Sequence, residues 1–282
     1  MGTHRFLSLV LLTLSFRFLA AEEAPTFRSV RSYPISPLCF PTQIAIDGQQ
    51  NTFVAGAFST PQITLGSFTH TNRGGFDGFV ARMKPDGTVD WARRLGGASE
   101  DWINGLAADA QGNVIVSAVL QSTNVTFGGI SFTTTSNSMT VVLKLNGITG
   151  ETIWSRKFEG RMSDGWATPL GIDRDGNAYI SGSFENHAFF LSKLAPNGNT
   201  VWEVQHGRCM SGWGPHLYST KDGEIFIAGS FTNAGASFGH ITLTNTGQST
   251  AFAAKYSTSG NVLWATPLSS GNHREITDVA SD

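Results

Sequence analysis

Bulky apolar residues along the chain alternate with small or polar ones in short runs, and Asp/Asn/Gly-rich turns separate the runs. Phe53-Val54-Ala55-Gly56-Ala57-Phe58, Val114–Leu120, Tyr179-Ile180-Ser181-Gly182-Ser183-Phe184 and Phe226-Ile227-Ala228-Gly229-Ser230-Phe231 each read as a strand of period two. Before each lies a shorter strand ending at a fixed mark: Ile44-Ala45-Ile46-Asp47, Leu106-Ala107-Ala108-Asp109, Leu170-Gly171-Ile172-Asp173 and Leu217-Tyr218-Ser219-Thr220. The intervening turns, best seen in Asp173-Arg174-Asp175-Gly176-Asn177, suit hairpins because Gly and Asn accept positive φ. A third and a fourth strand follow, as in Gly78-Phe79-Val80-Ala81-Arg82-Met83 and Thr88-Val89-Asp90-Trp91.

A basic residue, a glycine and a tryptophan recur in these later strands as Arg82/Gly87/Trp91, Lys144/Gly150/Trp154, Lys193/Gly198/Trp202 and Lys255/Gly260/Trp264. Successive Trp marks stand 63, 48 and 62 residues apart, and the ends of the second strands 62, 64 and 47 apart. Two independent marks with matching periods establish a repeat of four short antiparallel strands, which is a propeller blade. The expected fold is therefore all-β: a β-propeller with four recognisable blades in an incomplete ring.

Phased on these marks, the blades run at about 41–102, 103–166, 167–214 and 215–275, and 276–282 opens a fifth. Residues 22–40 supply a fourth-strand equivalent around Phe27-Arg28-Ser29-Val30. Seven blades of roughly 60 residues would need about 420. The expectation is thus either a fragment of a larger ring or a compact ring whose last blade the N-terminal strand completes. Blades one, two and four carry an insertion between strands two and three (59–75, 121–138 and 232–249), each with a hairpin-like pattern, and blade three has only Glu185-Asn186-His187 there.

Composition adds an address. Residues 6–16 are mostly apolar behind His4-Arg5, too short to span a bilayer, and Leu19-Ala20-Ala21 offers a small-residue cleavage site, so 1–21 read as a signal peptide. Removing Arg5 and Arg17 leaves 17 basic against 21 acidic side chains with no Lys/Arg cluster, which argues against nucleic acid and anionic membrane partners. No later apolar run is long enough for a transmembrane helix. An exported protein is expected: periplasmic, cell-surface or extracellular, from a bacterium. In that setting Cys39 and Cys209 could pair, although the repeats they serve need not be neighbours.

The stretch Gly96-Gly97-Ala98-Ser99-Glu100-Asp101-Trp102-Ile103-Asn104-Gly105-Leu106-Ala107-Ala108-Asp109-Ala110-Gln111-Gly112-Asn113 resembles the repeat of the seven-bladed β-propeller (SBBP) repeat family. The likeness extends over nearly all of 41–282 and departs at Glu224 and at Ser117-Ala118. It implies a propeller of the kind carried by bacterial exported or surface proteins, and brings no catalytic residues with it. The segment from Lys144 through Thr149-Gly150 to Trp154 resembles the tryptophan-docking repeat of quinoprotein dehydrogenase propellers, an element that locks blades together. That likeness is structural and implies no quinone; no cofactor is expected.

The first motif below reads as an accident of the repeat and the second as a hairpin turn. Gly235-Ala236-Ser237-Phe238-Gly239 matches the Gly-x-Ser-x-Gly nucleophile pattern, but Ser237 aligns with Thr64 and Thr126 and no helix is expected after it. Asp173, Asp175 and Asn177 have the opening spacing of a calcium loop, but Ala178 and Phe184 stand where its Gly and Glu belong. The seven histidines form no ligand pair, so no metal site is expected.

The candidate site is a set of aromatics seven residues before each strand-one mark: Phe40, Trp102, Trp166 and Trp213, with Asp101 and Asp164 beside them. They are expected on loops joining one blade to the next, where flat rings with nearby carboxylates suit sugar binding; packing between blades is the competing reading. The function expected is an exported, non-enzymatic binding or surface-interaction module for a carbohydrate or protein ligand. The alternatives are a glycan-acting enzyme using the same aromatic/Asp face and a structural spacer of a larger surface protein.

Overall fold

The alternating runs do become strands. The computed structural model describes residues 39–134, 138–159, 170–183, 189–206, 215–232 and 235–271. The expected signal peptide, the expected strand around Phe27, Cys209 and 276–282 lie outside the described residues.

The first blade holds β1 (Cys39–Ile46) and β2 (Thr52–Phe58), then a side hairpin of β3 (Gln62–Leu65) and β4 (Phe68–Thr71), then β5 (Asp77–Met83) and β6 (Val89–Leu95). The second repeats this with β7 (Asp101–Ala108), β8 (Val114–Leu120), the side hairpin β9 (Asn124–Phe127) and β10 (Ile130–Thr133), β11 (Met139–Leu145) and β12 (Thr152–Glu159). The third has β13 (Leu170–Ile172), β14 (Ala178–Ser183), β15 (Phe189–Leu194) and β16 (Thr200–His206). The fourth has β17 (His216–Ser219), β18 (Ile225–Phe231), the side hairpin β19 (Gly235–Phe238) and β20 (Ile241–Thr244), β21 (Ser249–Tyr256) and β22 (Val262–Gly271). Each blade is a four-stranded meander: β1-β2-β5-β6, β7-β8-β11-β12, β13-β14-β15-β16 and β17-β18-β21-β22, with every pairing antiparallel. All described elements are strands.

The blades pack face on face along their first strands. β7 touches β1, β2 and β5 on one side and β13 on the other, and β13 and β14 touch β17. Apolar residues of one parity fill the gaps. Phe53, Val80 and Leu95 of the first blade meet Ile103, Val116 and Val141 of the second. Ile115 and Val142 then meet Ile180 and Phe190 of the third, and Tyr179 and Leu191 meet Ile227 and Phe252 of the fourth. The side hairpins seal the outer rim. Phe127 of β9 joins the cluster around Trp91, and Phe238 of β19 joins the one around Trp202.

The Trp mark is the joint between blades. Trp91 Nε1–H donates to the Gly147 carbonyl at 2.8 Å, Trp154 to Pro196 at 2.9 Å and Trp202 to Thr258 at 3.0 Å. Each acceptor lies in the turn between the third and fourth strands of the next blade. The turn glycine is what lets the ring in: Gly150, Gly198 and Gly260 have φ of +67°, +84° and +82°, and a Cβ on any of them would stand within 2.9 Å of the docked indole. A side chain there is excluded by backbone conformation and by contact together.

Candidate functional site

The structure places the first three candidate residues on strands, not on loops. Phe40 pairs with Ala57 inside β1, and Asp101 and Trp102 open β7 opposite Leu120 and Val119. The ladder reaches this far because the blade connection is itself hydrogen-bonded: Asp101 N–H donates to the Phe76 carbonyl at 2.7 Å, and Gln121 N–H donates to Glu100 at 3.0 Å. The second blade accordingly begins two residues earlier than its marks suggest.

Trp102 is 7% exposed and lies against Phe76, with ring centroids 4.3 Å apart and planes inclined at 33°. Phe76 in turn stands 5.9 Å from Phe40, which is 45% exposed. The described aromatics thus form a row of three with Phe40 at its open end. Phe76 did not figure among the sequence candidates; its signal is an aromatic between the Gly74-Gly75 pair and the buried Asp77. Trp166, Trp213 and Asp164 lie outside the described residues.

Asp101 is buried and fully engaged. Its carboxylate accepts from Gly97 N–H at 2.7 Å, Gln121 N–H at 3.1 Å, Ser122 N–H at 3.2 Å and Ser122 Oγ–H at 2.6 Å. Burial raises its pKa above the ordinary carboxylate value, and the hydrogen bonds from Ser122, Gly97 and Gln121 oppose that rise. This carboxylate ties the blade connection to the start of the side hairpin.

The other repeated carboxylates are spent in the same manner. Asp47, Asp109 and Asp173 each accept the backbone N–H of the turn asparagine, Asn51, Asn113 or Asn177, at 2.8–2.9 Å. The basic mark closes the loop: Lys144 Nζ reaches Asp109 at 2.8 Å, Lys193 reaches Asp173 at 3.5 Å and Lys255 reaches Glu224 at 2.9 Å. In the first blade Arg82 turns to Asp90 instead. Burial acts to raise the Asp173 pKa, but hydrogen bonds from Asn177 and Tyr179 and the Lys193 charge outweigh it and hold the group below its ordinary value. The Asp173–Asn177 stretch is thus a braced hairpin turn.

A second concavity, not anticipated from the sequence, opens between the outer strand of blade three and the side hairpin of blade four. It encloses about 620 Å³ between β16, the β19–β20 hairpin and the turn before β22, and its lining includes Gln205, His206, Ser237, His240 and Asn261. His206 forms its back wall. Its Nδ1 accepts Gly239 N–H at 3.0 Å, which leaves the proton on Nε2 of the neutral ring to donate to Tyr256 Oη, also at 3.0 Å. The ring stacks on Phe189 at 5.4 Å and 15°. Burial lowers the His206 pKa, so the neutral imidazole is the form the fold holds. The cleft therefore presents amides, a hydroxyl and imidazole beside the apolar Val204 and Val262, with no carboxylate or ammonium in its lining. Such a surface suits neutral polar groups.

Ser237 takes part in a cross-strand hydroxyl pair with Thr242 at 3.3 Å, as Thr64 pairs with Thr69 and Thr126 with Ser131. A strand, β20, follows it where a nucleophile elbow needs a helix. Among the described residues no three of His, Cys, Asp and Glu gather in a group that could hold a metal ion. Cys39 carries a free thiol whose pKa burial pushes up to about 11. No helix among the described residues is long and apolar enough to cross a membrane.

No protein-family model matches the chain. It is 28% identical over 156 residues to an uncharacterized WD repeat-containing protein of Acanthamoeba polyphaga mimivirus, an alignment covering 50% of this chain and 11% of that protein. It is 30% identical over 132 residues to the regulatory protein FlaEY of Caulobacter vibrioides, covering 46% of this chain and 13% of that one. The aligned regions thus span roughly a tenth of the length of these curated relatives. Among solved structures it is similar to a protein of unknown function from Bacteroides caccae (TM-score 0.41, 11% identity, 84% of this chain and 85% of that one). It is also similar to hydrazine synthase of Kuenenia stuttgartiensis (TM-score 0.38, 9% identity, 85% and 70%). The WD-repeat relative is in keeping with the repeat β-propeller built here blade by blade.

Proposed function

We propose that this protein is an exported, non-enzymatic β-propeller binding module of the SBBP-repeat type, and that it takes glycan ligands in the cleft between its third and fourth blades. The observation that carries the reading is the cleft of about 620 Å³ itself, lined by the uncharged polar side chains Gln205, His206, Ser237, His240 and Asn261 together with Val204 and Val262. Sugars offer hydroxyls, which pair with amides and imidazoles without the cost of burying a charge. The aromatic row of Trp102, Phe76 and Phe40 is a second surface for the same ligand class, because Phe40 at its end is 45% exposed. Binding is favoured over glycan cleavage by the state of Asp101. Hydrolysis uses a pair of carboxylates free to exchange protons, and Asp101 is committed to four hydrogen bonds. A spacer role would leave the cleft without use.

The test is titration calorimetry of the purified protein with a panel of neutral oligosaccharides, repeated for His240→Ala with Asn261→Ala and for Trp166→Ala with Trp213→Ala. Loss of binding in the first pair with an unchanged melting temperature supports the cleft, and loss in the second pair alone moves the ligand to the aromatic face. Failure of the wild type to bind any oligosaccharide at millimolar concentration overturns the glycan reading.

A further inference from the structure

Each of the three side hairpins turns through a glycine at positive φ that sits against the first residue of its own blade's fourth strand. Gly66 (φ +61°) meets Val89, Gly128 (φ +52°) meets Thr152 and Gly239 (φ +56°) meets Val262. What differs is how a hairpin meets the outer strand of the blade before it. Between blades one and two the meeting is apolar: Leu95 of β6 and Phe127 of β9 share one buried cluster. Between blades three and four the residue at the place of Leu95, four after the Trp mark, is His206. It holds the hairpin through a ring nitrogen, because Nδ1 accepts Gly239 N–H at 3.0 Å. Phe238 beside that glycine lies against the same ring, with centroids 5.9 Å apart.

A backbone N–H only donates, so this bond exists only while Nδ1 carries no proton. The ring has no other acceptor to offer: Nε2 is engaged with Tyr256 Oη at 3.0 Å, and Phe189 stacks on its face. A proton on Nδ1 sets donor against donor and takes the acceptor away from Gly239. Among the described residues, Tyr256 on β21 and His240 in the hairpin turn are the titratable groups beside the ring. The charged side chains of the strands around it are directed elsewhere: Lys193 of β15 to Asp173, Glu203 of β16 to Gln205 and Lys255 of β21 to Glu224. Burial opposes the imidazolium, which places the change below the ordinary imidazole value of about 6.5.

We propose that the β19–β20 hairpin is a proton-released clamp on the cleft: neutral His206 holds its tip at Gly239, and protonation of that one ring lets the tip leave blade three. Ser237, Gly239 and His240 form the hairpin's side of the cleft, so release of the tip reshapes the cavity and weakens its hold on a polar ligand. The clamp stands on the hydrogen bond, and its effect on a sugar rests on the cleft being a glycan site.

Amide and imidazole resonances of the isotope-labelled protein, followed from about pH 8 to about pH 4, test the clamp without a ligand. The Gly239 amide is expected to shift along one curve with the His206 ring. Its protection against exchange, corrected for the pH dependence of an open amide, should fall about tenfold, which is what one such bond contributes. The Gly128 amide, at the tip of the hairpin that packs on Thr152, should hold its position. His206→Gln keeps an acceptor that does not titrate and should flatten the Gly239 curve, whereas His240→Gln should leave it unchanged; circular dichroism confirms that both variants are folded. Four outcomes overturn the clamp: a Gly239 amide that ignores the His206 titration, a ring that stays neutral throughout, a curve that survives His206→Gln, or one that His240→Gln abolishes. An oligosaccharide whose affinity falls along the same curve in the wild type but not in His206→Gln supports control of the site, and one bound equally at both ends of the curve overturns that control. If no oligosaccharide binds while Gly239 follows His206, the glycan reading falls and the clamp stands.

Discussion

Replacing Trp91 by phenylalanine measures what one blade joint contributes. The indole N–H of Trp91 is the donor to the buried Gly147 carbonyl at 2.8 Å, and the residue is almost wholly enclosed. Phenylalanine fills most of the space and leaves that carbonyl without its partner, a cost of about 1–2 kcal/mol. The smaller ring leaves a void beside Gly150, which adds about 1 kcal/mol. The sum is about 2–3 kcal/mol. Trp264→Phe, at the same register position but half-exposed and with no acceptor among the described residues, is expected to stay within about 0.5 kcal/mol. With a urea slope of about 3 kcal/mol per molar, the first substitution lowers the unfolding midpoint by about 0.8 M and the second by less than about 0.2 M. Gly150→Ala attacks the joint from its other side, because the new Cβ would meet the Trp91 ring at 2.8 Å from a positive-φ backbone. It is expected to lower the midpoint as Trp91→Phe does. Equal midpoints for Trp91→Phe and Trp264→Phe, measured at a concentration where both are monomeric, would refute the claim that docking by the Trp mark holds the blades together.

Gln50 adopts φ +66° at the turn position where Gly112, Gly176 and Gly223 stand in the other blades, so Gln50→Gly is expected to raise stability by about 0.5–1 kcal/mol, read as a higher urea midpoint. Lys144→Met strips the enclosed Asp109 of its ammonium but leaves it the Asn113 donors, and is expected to cost about 2–3 kcal/mol; Lys255→Met, whose partner Glu224 is partly exposed, should cost less than about 1 kcal/mol, and a double set of denaturation curves compares them. Asp101→Ala orphans four donors and is expected to cost about 3–5 kcal/mol, with faster amide exchange at Gly97, Gln121 and Ser122. His206 has a folded pKa held below its ordinary value of about 6.5, so its contribution is complete above that pH and is lost as pH falls below it toward the folded value. His70 shifts the same way through its own burial, so the measurement is the difference in stability between pH 7 and pH 5 for the wild type and for His206→Gln. The variant should lose less.

What the sequence made legible is what repeats within a blade. The Asp/Asn/Gly turns, the period-two strands and the spacing from basic residue to tryptophan all sit in one stretch of chain, so a reader can count them. What it hid is what those marks touch. The acceptor for Trp91 is a backbone carbonyl 56 residues away, and a carbonyl has no letter in a sequence. Asp101 and Trp102 show the same division. Their regular distance from the strand-one mark is plain, but the three backbone N–H groups that converge on Asp101, and the Phe76 ring against Trp102, come from segments brought together only by folding.

His206 shows where to look instead. Counting four residues on from each Trp mark gives Leu95, Phe158, His206 and Leu268. Leu95 and Phe158 are buried apolar residues that seal the top of a blade gap, and the repeat asks for a residue of that kind in blade three. A histidine there is a costly choice unless both ring nitrogens are satisfied, and they are, by Gly239 and Tyr256. The repeat thus gives up an ordinary packing residue in blade three, and the polar ring lines the cleft. Positions that obey the repeat hold the scaffold together. One that breaks it and borders open space is where a ligand-binding role is most economically sought, and Leu in place of His206 should weaken polar-ligand binding in the cleft while lowering stability by about 1–2 kcal/mol, because Gly239 N–H and Tyr256 Oη lose their partner.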